Sequence, residues 1–262
     1  MWIKHRVKRL KSKVSHLSTY LISLNQAHQI ERQTDLAHCK KPVLLLYGFG
    51  ATRRSMSILE SRLRKDGFDV FSINLGGFLE LFNTAPIDRV AKKIAQKIDL
   101  LCERYHIPRM SIIGYSKGGL IGRYYMSCLS GAKRAHTLIT LATPHQGNPW
   151  ALLTNLLGLG LLSKGLRQML PHSPFLKKLN KTPHPENVYM VSIASESDKN
   201  CPAKYCTLPN AHNIVLPGLY HSDFVMKPSA YLEILKHLNA GLDFYAAANS
   251  SAPQSRKQKA KC

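Results

Sequence analysis

The sequence MSIIGYSKGGLIGRY, residues 110–124, decides the fold. Its first four residues form a short apolar run, typical of a buried β-strand, that ends at Gly114. Ser116 lies at the centre of a Gly-x-Ser-x-Gly motif, and a helical pattern begins at Leu120. This order predicts a sharp turn between strand and helix that exposes the serine hydroxyl above the edge of a sheet, as a nucleophile requires. The alternative is a serine that only caps an ordinary helix.

Strand patterns alternate with helical patterns on both sides of this turn. Strands joined by helices of this length form right-handed crossovers within a parallel sheet. The sequence therefore predicts a single α/β domain with active groups at the carboxyl ends of the strands, where Ser116 lies. The other predicted strands cover residues 43–46, 69–75, 136–143, 187–194 and 211–217, and a final helix begins at Ser229.

The predicted partners of Ser116 follow from the chemistry of a serine nucleophile. Its hydroxyl needs a base that removes the proton and a carboxylate that orients the base. In this topology the acid and then the histidine follow the serine along the chain. Asp198, after the strand at 187–194, is the predicted acid, with Glu196 as its rival, and His221 is the predicted base. His145 also follows a strand but precedes the acid, so we assign it to packing.

Two backbone N–H groups are the predicted oxyanion donors. One belongs to Lys117, directly after the nucleophile, and the other to Phe49, in the loop after the first strand. Donors placed in this way stabilise the negative charge that develops on the substrate oxygen. Glycines on both sides of Phe49 let that backbone approach the substrate closely.

The alternation of strands and helices breaks at residues 148–186. Leucines crowd this segment, and Gly158 and Gly160 interrupt it. We interpret it as a lid over the site, apolar on its inner face, with an ordinary packing helix as the alternative. The residues assigned to the lid and an acyl pocket are Trp150, Leu152, Leu153, Leu156 and Leu157.

The chain is strongly basic. It has 37 Lys and Arg against 15 Asp and Glu, a formal net charge of +22 over 262 residues. Such a charge favours anionic surfaces as partners. Nucleic acid is a disfavoured partner, because aromatic residues are not interleaved with the basic ones as a stacking platform requires.

Residues 1–38 form a separate basic segment. Apolar residues recur at a spacing of four and three from Ile3 to Leu24, which predicts a basic amphipathic helix. It is a helix docked on the domain, a helix on an anionic membrane surface, or an interaction or targeting arm. A cleavable secretory signal fits poorly, because the apolar candidate at residues 20–24 is short. The compartment stays open, with a cytoplasmic or peripheral membrane location favoured.

The predicted domain is thus residues 39–246, followed by a polar, basic tail at 247–262 that we expect to be disordered. Neither a cofactor nor a metal is expected, because the cysteines and histidines show no ligand spacing. No stretch reaches the roughly 18 to 20 apolar residues of a membrane span. Cys201 and Cys206 are close enough to pair in an oxidising compartment, and the sequence leaves this open.

Several motifs together resemble the bacterial triacylglycerol lipase/esterase family of the α/β-hydrolase superfamily. The resemblance covers about residues 40–240 and implies an α/β-hydrolase fold with a lid insertion and hydrolysis of carboxylic esters, often of lipids. It implies the roles of nucleophile, acid and base for Ser116, Asp198 and His221. The motifs are YGFG at 47–50, GYSKGGLIGRYY at 114–125, TLATPHQG at 140–147 and SPFLKKLN at 173–180.

The chain departs from the family pattern at two positions. Tyr47 stands where the family usually has histidine, so the loop that bears Phe49 is expected to be held differently. Lys117 replaces the commoner Met or Gln, and a cation in the first turn of a helix opposes the helix dipole. We therefore expect Lys117 to meet an anionic group. The alternatives in function are an acyltransferase or thioesterase on the same triad, and a non-catalytic protein that uses the fold at a membrane surface or for interactions.

Overall fold

The computed structural model describes residues 39–75, 83–149, 151 and 163–250. Three predictions lie wholly or partly outside these residues. The first is the amphipathic helix in residues 1–38, and the second is the tail at 247–262, of which residues 251–262 are not described. The third is the proposed acyl pocket, formed by Trp150, Leu152, Leu153, Leu156 and Leu157.

The centre of the fold is a six-stranded sheet in which all neighbouring strands are parallel. The order across the sheet is β2-β1-β3-β4-β5-β6. The chain therefore passes from β1 to β2 at one edge, returns to β3 on the other side of β1, and continues strand by strand to β6 at the opposite edge. The α/β-hydrolase fold class predicted from the sequence is confirmed. The strands are β1 (Pro42–Leu46), β2 (Asp69–Ser72), β3 (Met110–Tyr115), β4 (Ala135–Leu141), β5 (Tyr189–Ala194) and β6 (His212–Val215).

Eight α-helices lie in the described part of the chain. Short 3-10 helices at Arg53–Met56 and Gly131–Lys133 precede α1 and β4. The helices are α1 (Ser57–Lys65), α2 (Ile87–Arg104), α3 (Lys117–Cys128), α4 (Lys164–Gln168), α5 (Pro174–Lys181), α6 (Ala203–Cys206), α7 (Asp223–Met226) and α8 (Pro228–Ser250). None of them is long and apolar enough to cross a membrane.

Helices cover both faces of the sheet, because two neighbouring residues of β4 contact different helices. A Cβ added at Gly122 of α3 would lie 2.8 Å from the Leu138 side chain, and one at Gly241 of α8 would lie 2.2 Å from that of Thr137. Successive side chains of a strand point to opposite faces, so α3 and α8 pack on opposite sides. Burial on both faces explains why β1 is a continuous apolar run, and β3 and β4 are likewise buried along their whole length.

Several predicted ends differ from the structure, and those of β2 and of the last helix have a clear physical reason. Strand β2 ends at Ser72 and not at residue 75, because the Leu75 amide donates to the Tyr47 hydroxyl instead of to the sheet. Helix α8 continues through Ser250, so residues 247–250 are helical and do not belong to a disordered tail. Alanines at 246–248 explain this extension, since alanine has the highest helix propensity.

The close packing of α3 on β1 generates a stability prediction. A Cβ at Gly118 would lie 2.0 Å from the Leu46 carbonyl oxygen, which cannot move without shifting the strand. We expect Gly118→Ala to lower the melting temperature by about 5 to 10 °C, the effect of roughly 1 to 3 kcal/mol of overpacking in a domain of this size.

Gly122→Ala is the matched control in the same helix, because its Cβ would meet only the flexible end of the Leu138 side chain, 2.8 Å away. Its melting temperature should stay within about 3 °C of wild type. Thermal unfolding followed by circular dichroism measures both variants. Equal melting temperatures would contradict the packing argument.

Candidate active site

Ser116 lies at the turn from β3 into α3 with φ 54° and ψ −121°, a backbone conformation that residues other than glycine rarely adopt. Its amide donates to the Leu141 carbonyl at 2.8 Å, which fixes the turn to the end of β4. A Cβ at Gly114 would lie 2.5 Å from the Gly119 backbone, so strand and helix meet without an intervening side chain. The half-buried Ser116 side chain thus lies at the carboxyl edge of the sheet, as the motif predicts.

Asp198 and His221, from the loops after β5 and β6, are in direct contact. The His221 Nδ1 lies 2.7 Å from the Asp198 Oδ2, and the carboxylate is buried. The other carboxylate oxygen accepts the amides of Asn200 at 2.9 Å and Cys201 at 3.1 Å. The structure therefore pairs Asp198 with the histidine, while the rival acid Glu196 is exposed.

Two contacts hold the His221 loop in place. The Tyr115 hydroxyl donates to the His221 carbonyl at 3.1 Å, and the two rings lie 5.0 Å apart between centroids. Tyr115 directly precedes Ser116, so the imidazole packs against the neighbour of the predicted nucleophile. The Ser195 hydroxyl, in the loop of the acid, accepts the Leu219 amide at 3.2 Å and so joins the two loops.

The β1 loop, residues 47–51, lies against the nucleophile. A Cβ at Gly48 would be 3.2 Å from the Cβ of Ser116, which places the following residue, Phe49, close to the serine. The buried Tyr47 hydroxyl donates to the Asn74 Oδ1 at 3.2 Å and accepts the Leu75 amide at 2.8 Å. Where the family usually has histidine, this chain thus ties the loop to the segment after β2.

Among the described residues, the Lys117 ammonium contacts no carboxylate, so the expected anionic partner is not found there. Its side chain is fully buried, and the Nζ donates to the Asn83 carbonyl and Oδ1 at 3.0 and 2.9 Å and to the Ala85 carbonyl at 2.6 Å. All three acceptors are neutral. Burial lowers the pKa of the Lys117 ammonium to about 7. The Nζ also lies 5.5 Å from the centroid of the Phe49 ring.

Asn83 is the site residue that sequence reasoning missed. It is fully buried, and its Nδ2 donates to the Tyr47 carbonyl at 2.8 Å while its Oδ1 accepts from Lys117. Its partners are 36 and 34 positions away in the chain, and no motif or periodicity marks it. Only the tertiary arrangement reveals its role.

His145 belongs to the packing behind the site. Its side chain is fully buried, and the Nε2 lies 3.0 Å from the Thr140 hydroxyl. Burial, reinforced by the nearby Arg123 and His184, lowers its pKa well below the usual value. A neutral imidazole facing a threonine of β4 agrees with the packing role expected for His145.

The described part of the 148–186 insertion is anchored to the start of α2. The Gln168 Oε1 accepts the Ile87 amide at 2.6 Å, and its Nε2 donates to the Asp88 Oδ1 at 2.6 Å. The Ser163 hydroxyl donates to the Thr84 carbonyl at 3.0 Å. The second half of the insertion therefore returns over the segment that contains Asn83.

Neither a disulfide nor a candidate metal cluster occurs in the part of the chain that the structure describes. Cys201 and Cys206 are buried free thiols with their sulfurs 3.3 Å apart. No group of three His, Cys, Asp or Glu side chains in residues 39–75, 83–149 and 163–250 is placed to hold a metal ion.

Comparisons with known proteins show which sequences this chain resembles. Residues 42–156 match the family model for palmitoyl protein thioesterase. Triacylglycerol lipases of Pseudarthrobacter phenanthrenivorans and Burkholderia plantarii are each 26% identical over 121 residues, which is 44% of this chain and 36% and 32% of theirs. The chain thus spans about a third of the length of these curated relatives.

The fold is shared with a solved lipase of similar size. The mature form of the lipase BlEst2 of Bacillus licheniformis superposes with a TM-score of 0.64 at 16% identity, over 76% of this chain and 92% of that one. This chain is thus similar in sequence to curated lipases and shares its fold with solved lipases and esterases.

Proposed function

We propose that the protein hydrolyses carboxylic esters of acyl chains through a covalent acyl-enzyme on Ser116. The observation that carries this proposal is the 2.7 Å contact between the His221 Nδ1 and the buried Asp198 carboxylate. The His221 ring also packs against Tyr115, the residue before the strained Ser116. Because the carboxylate occupies Nδ1, the Nε2 is the ring nitrogen that serves the serine.

In the first half of the reaction, the Ser116 oxygen attacks the ester carbonyl carbon while the His221 Nε2 takes the hydroxyl proton. The Asp198 carboxylate stabilises the imidazolium that forms. The amides of Phe49 and Lys117 donate to the oxyanion of the tetrahedral intermediate. When this intermediate collapses, the bond to the alcohol oxygen breaks and the alcohol leaves with the proton from His221.

In the second half, water replaces the alcohol. His221 takes a proton from the water as it attacks the acyl carbon, and the same two amides again bind the oxyanion. Collapse releases the carboxylic acid and returns the proton to Ser116. Neither half requires a cofactor.

The names of the relatives favour a long acyl chain as the substrate. The curated relatives are named for triacylglycerol, and the matching family model is named for palmitoyl proteins. Both names describe an acyl chain attached to a leaving group, an alcohol in one case and a thiol in the other. The predicted leucine-rich lid, including Trp150, would bind such a chain.

A thioesterase is the second candidate, and the family match over residues 42–156 favours it. The same triad cleaves an ester or a thioester, so the leaving group decides between them. The ratio of kcat/KM for a palmitoyl thioester to that for p-nitrophenyl palmitate separates the two. Release of an acylated product on addition of an alcohol would instead identify an acyltransferase.

Anionic membrane surfaces remain a predicted partner, on the grounds of the +22 formal charge and the basic N-terminal segment. Each Lys or Arg near such a surface contributes roughly 1 kcal/mol to binding. Co-sedimentation with anionic and with neutral vesicles, at low and at high salt, distinguishes this attraction from the apolar binding of a lid.

Replacement of the nucleophile gives the first functional prediction. Ser116→Ala should lower kcat for p-nitrophenyl esters by at least about a thousandfold and abolish covalent labelling by a fluorophosphonate, because no oxygen remains to attack. Intact-protein mass spectrometry measures the label.

Ser130→Ala is the matched control, since Ser130 also has a positive φ, 58°, but is exposed at the end of α3. It should label at the wild-type rate. Labelling of Ser116→Ala would identify a different nucleophile, and an unlabelled wild-type protein would favour the non-catalytic alternative.

A second prediction separates the two acids after β5. Asp198→Asn should lower kcat by on the order of a thousandfold or more, because an amide favours the wrong imidazole tautomer. Glu196→Gln, two residues away and exposed, should change kcat by less than about twofold. Esterase kinetics on both variants measure this. Similar losses in the two variants would show that Asp198 is not the orienting acid.

A further inference from the structure

Lys117 is a fully buried cation whose hydrogen bonds go to neutral oxygens. Its Nζ donates at 3.0 and 2.9 Å to the carbonyl and Oδ1 of Asn83 and at 2.6 Å to the Ala85 carbonyl. Burying an ammonium without a carboxylate partner is unfavourable unless all its protons are bound. Here each of its three N–H donors has an acceptor, so the side chain is held in one position.

Asn83 connects the fixed Lys117 side chain to the β1 loop. Its Nδ2 donates to the Tyr47 carbonyl at 2.8 Å, and its own amide donates to the Ala51 carbonyl at 3.2 Å. The Asn83 carbonyl, which also accepts from Lys117, accepts the Gly50 amide at 3.3 Å. Asn83 therefore holds the loop on both sides of Phe49.

The backbone of Lys117 belongs to the turn that contains the nucleophile. Lys117 is the first residue of α3 and directly follows Ser116, and its amide is one of the two proposed oxyanion donors. The backbone here is rigid, because a Cβ at Gly118 would lie 2.0 Å from the Leu46 carbonyl oxygen. Lys117 thus supplies the first donor with its backbone amide. Its side chain holds, through Asn83, the loop that contains the second donor, the Phe49 amide.

We propose that Lys117 is a positioning residue, whose side chain acts through Asn83 to hold the Phe49 amide at the distance from the Lys117 amide that a tetrahedral oxyanion requires. This inference rests on the proposed function. It adds a role for a side chain that neither attacks, transfers a proton nor touches the substrate.

The insertion excludes water from this arrangement. A Cβ at Gly165 of α4 would lie 2.5 Å from the Ala85 carbonyl oxygen and 3.0 Å from the Lys117 Nζ. The α4 backbone therefore packs directly over the ammonium, which explains its complete burial. Hydrogen bonds in such a water-free site are stronger than in solvent, so a small set of them fixes the loop.

Arg123 provides a matched control in the same helix. It is also buried, with 1% of its surface exposed, and it also donates to neutral oxygens, the Asn180 Oδ1 at 2.7 Å and the Leu179 carbonyl at 3.3 Å. Both acceptors belong to α5, and neither lies in the β1 loop. Removing either cation should cost stability, whereas only Lys117 should affect the oxyanion donors.

The test compares Lys117→Met with Arg123→Met, using p-nitrophenyl butyrate as a small substrate. Loss of one oxyanion donor costs about 100- to 1,000-fold in kcat, so its misplacement in Lys117→Met should lower kcat by about 10- to 100-fold. The KM should change by less than about threefold, and fluorophosphonate labelling should slow in parallel with kcat. In Arg123→Met, kcat should stay within about threefold of wild type, even if its melting temperature falls as much as that of Lys117→Met.

Asn83→Asp is the second variant and tests the link itself. The aspartate keeps an acceptor for Lys117 and adds an ion pair, but it cannot donate to the Tyr47 carbonyl. We expect kcat to fall by on the order of tenfold, while the melting temperature should fall no further than in Arg123→Met, because the new ion pair offsets part of the lost bond to the Tyr47 carbonyl. Combined with Lys117→Met, it should lower kcat no further than the worse single variant, since both act on one loop.

Several outcomes would overturn the positioning role. These are wild-type kcat in Lys117→Met or in Asn83→Asp, equal losses of kcat in Lys117→Met and Arg123→Met, and additive losses in the double variant. Failure of the proposed function is recognised separately, because the wild-type protein would then neither hydrolyse the ester nor react with the fluorophosphonate, and that result overturns both proposals.

Discussion

The site depends on the close approach of α3 to the carboxyl ends of β1 and β3. A side chain at Gly118 would strike the Leu46 carbonyl, and one at Gly114 would strike the helix backbone. Glycine at both positions lets helix and strands meet directly, and this contact forces Ser116 into its positive φ of 54°. The strain at the serine is therefore a consequence of backbone packing. It is maintained by the core and not by contacts of the serine side chain.

Buried polar groups then join the loops around Ser116 in pairs. The Asp198 carboxylate links its own loop to His221, and the Ser195 hydroxyl links the same two loops a second time. Asn83 links the β1 loop to the segment before α2. In each case a short polar side chain satisfies backbone groups that would otherwise be buried without partners. Loops held in this way have little freedom to reorganise, which is what an electrostatically preorganised site requires.

Structure could be predicted from the sequence where burial produces a pattern of neighbouring apolar residues. Strands β1, β3 and β4 are buried along their whole length, so their apolar runs and the glycines after β3 predicted the sheet and the turn. Prediction failed where a distant partner decides the outcome. Residues 73–75 continue the apolar pattern of β2, but the amide of Leu75 bonds to a tyrosine of another loop. Asn83 was missed for the same reason, since its side chain bonds only to residues more than thirty positions away in the sequence.

The two departures from the family pattern both help to hold the β1 loop. Tyr47 and Lys117 are 70 positions apart in the sequence, yet the Asn83 side chain bonds to both, donating to the Tyr47 carbonyl and accepting from the Lys117 ammonium. An apolar residue at position 117 would leave the Asn83 Oδ1 and the Ala85 carbonyl without these donors in a buried site. The Tyr47 hydroxyl meanwhile secures the far side of the loop through Asn74 and Leu75. Lys117 and Asn83 therefore make sense only together, because changing either side chain removes a partner that the other needs. The Tyr47 carbonyl, a backbone group, would remain with any residue at position 47.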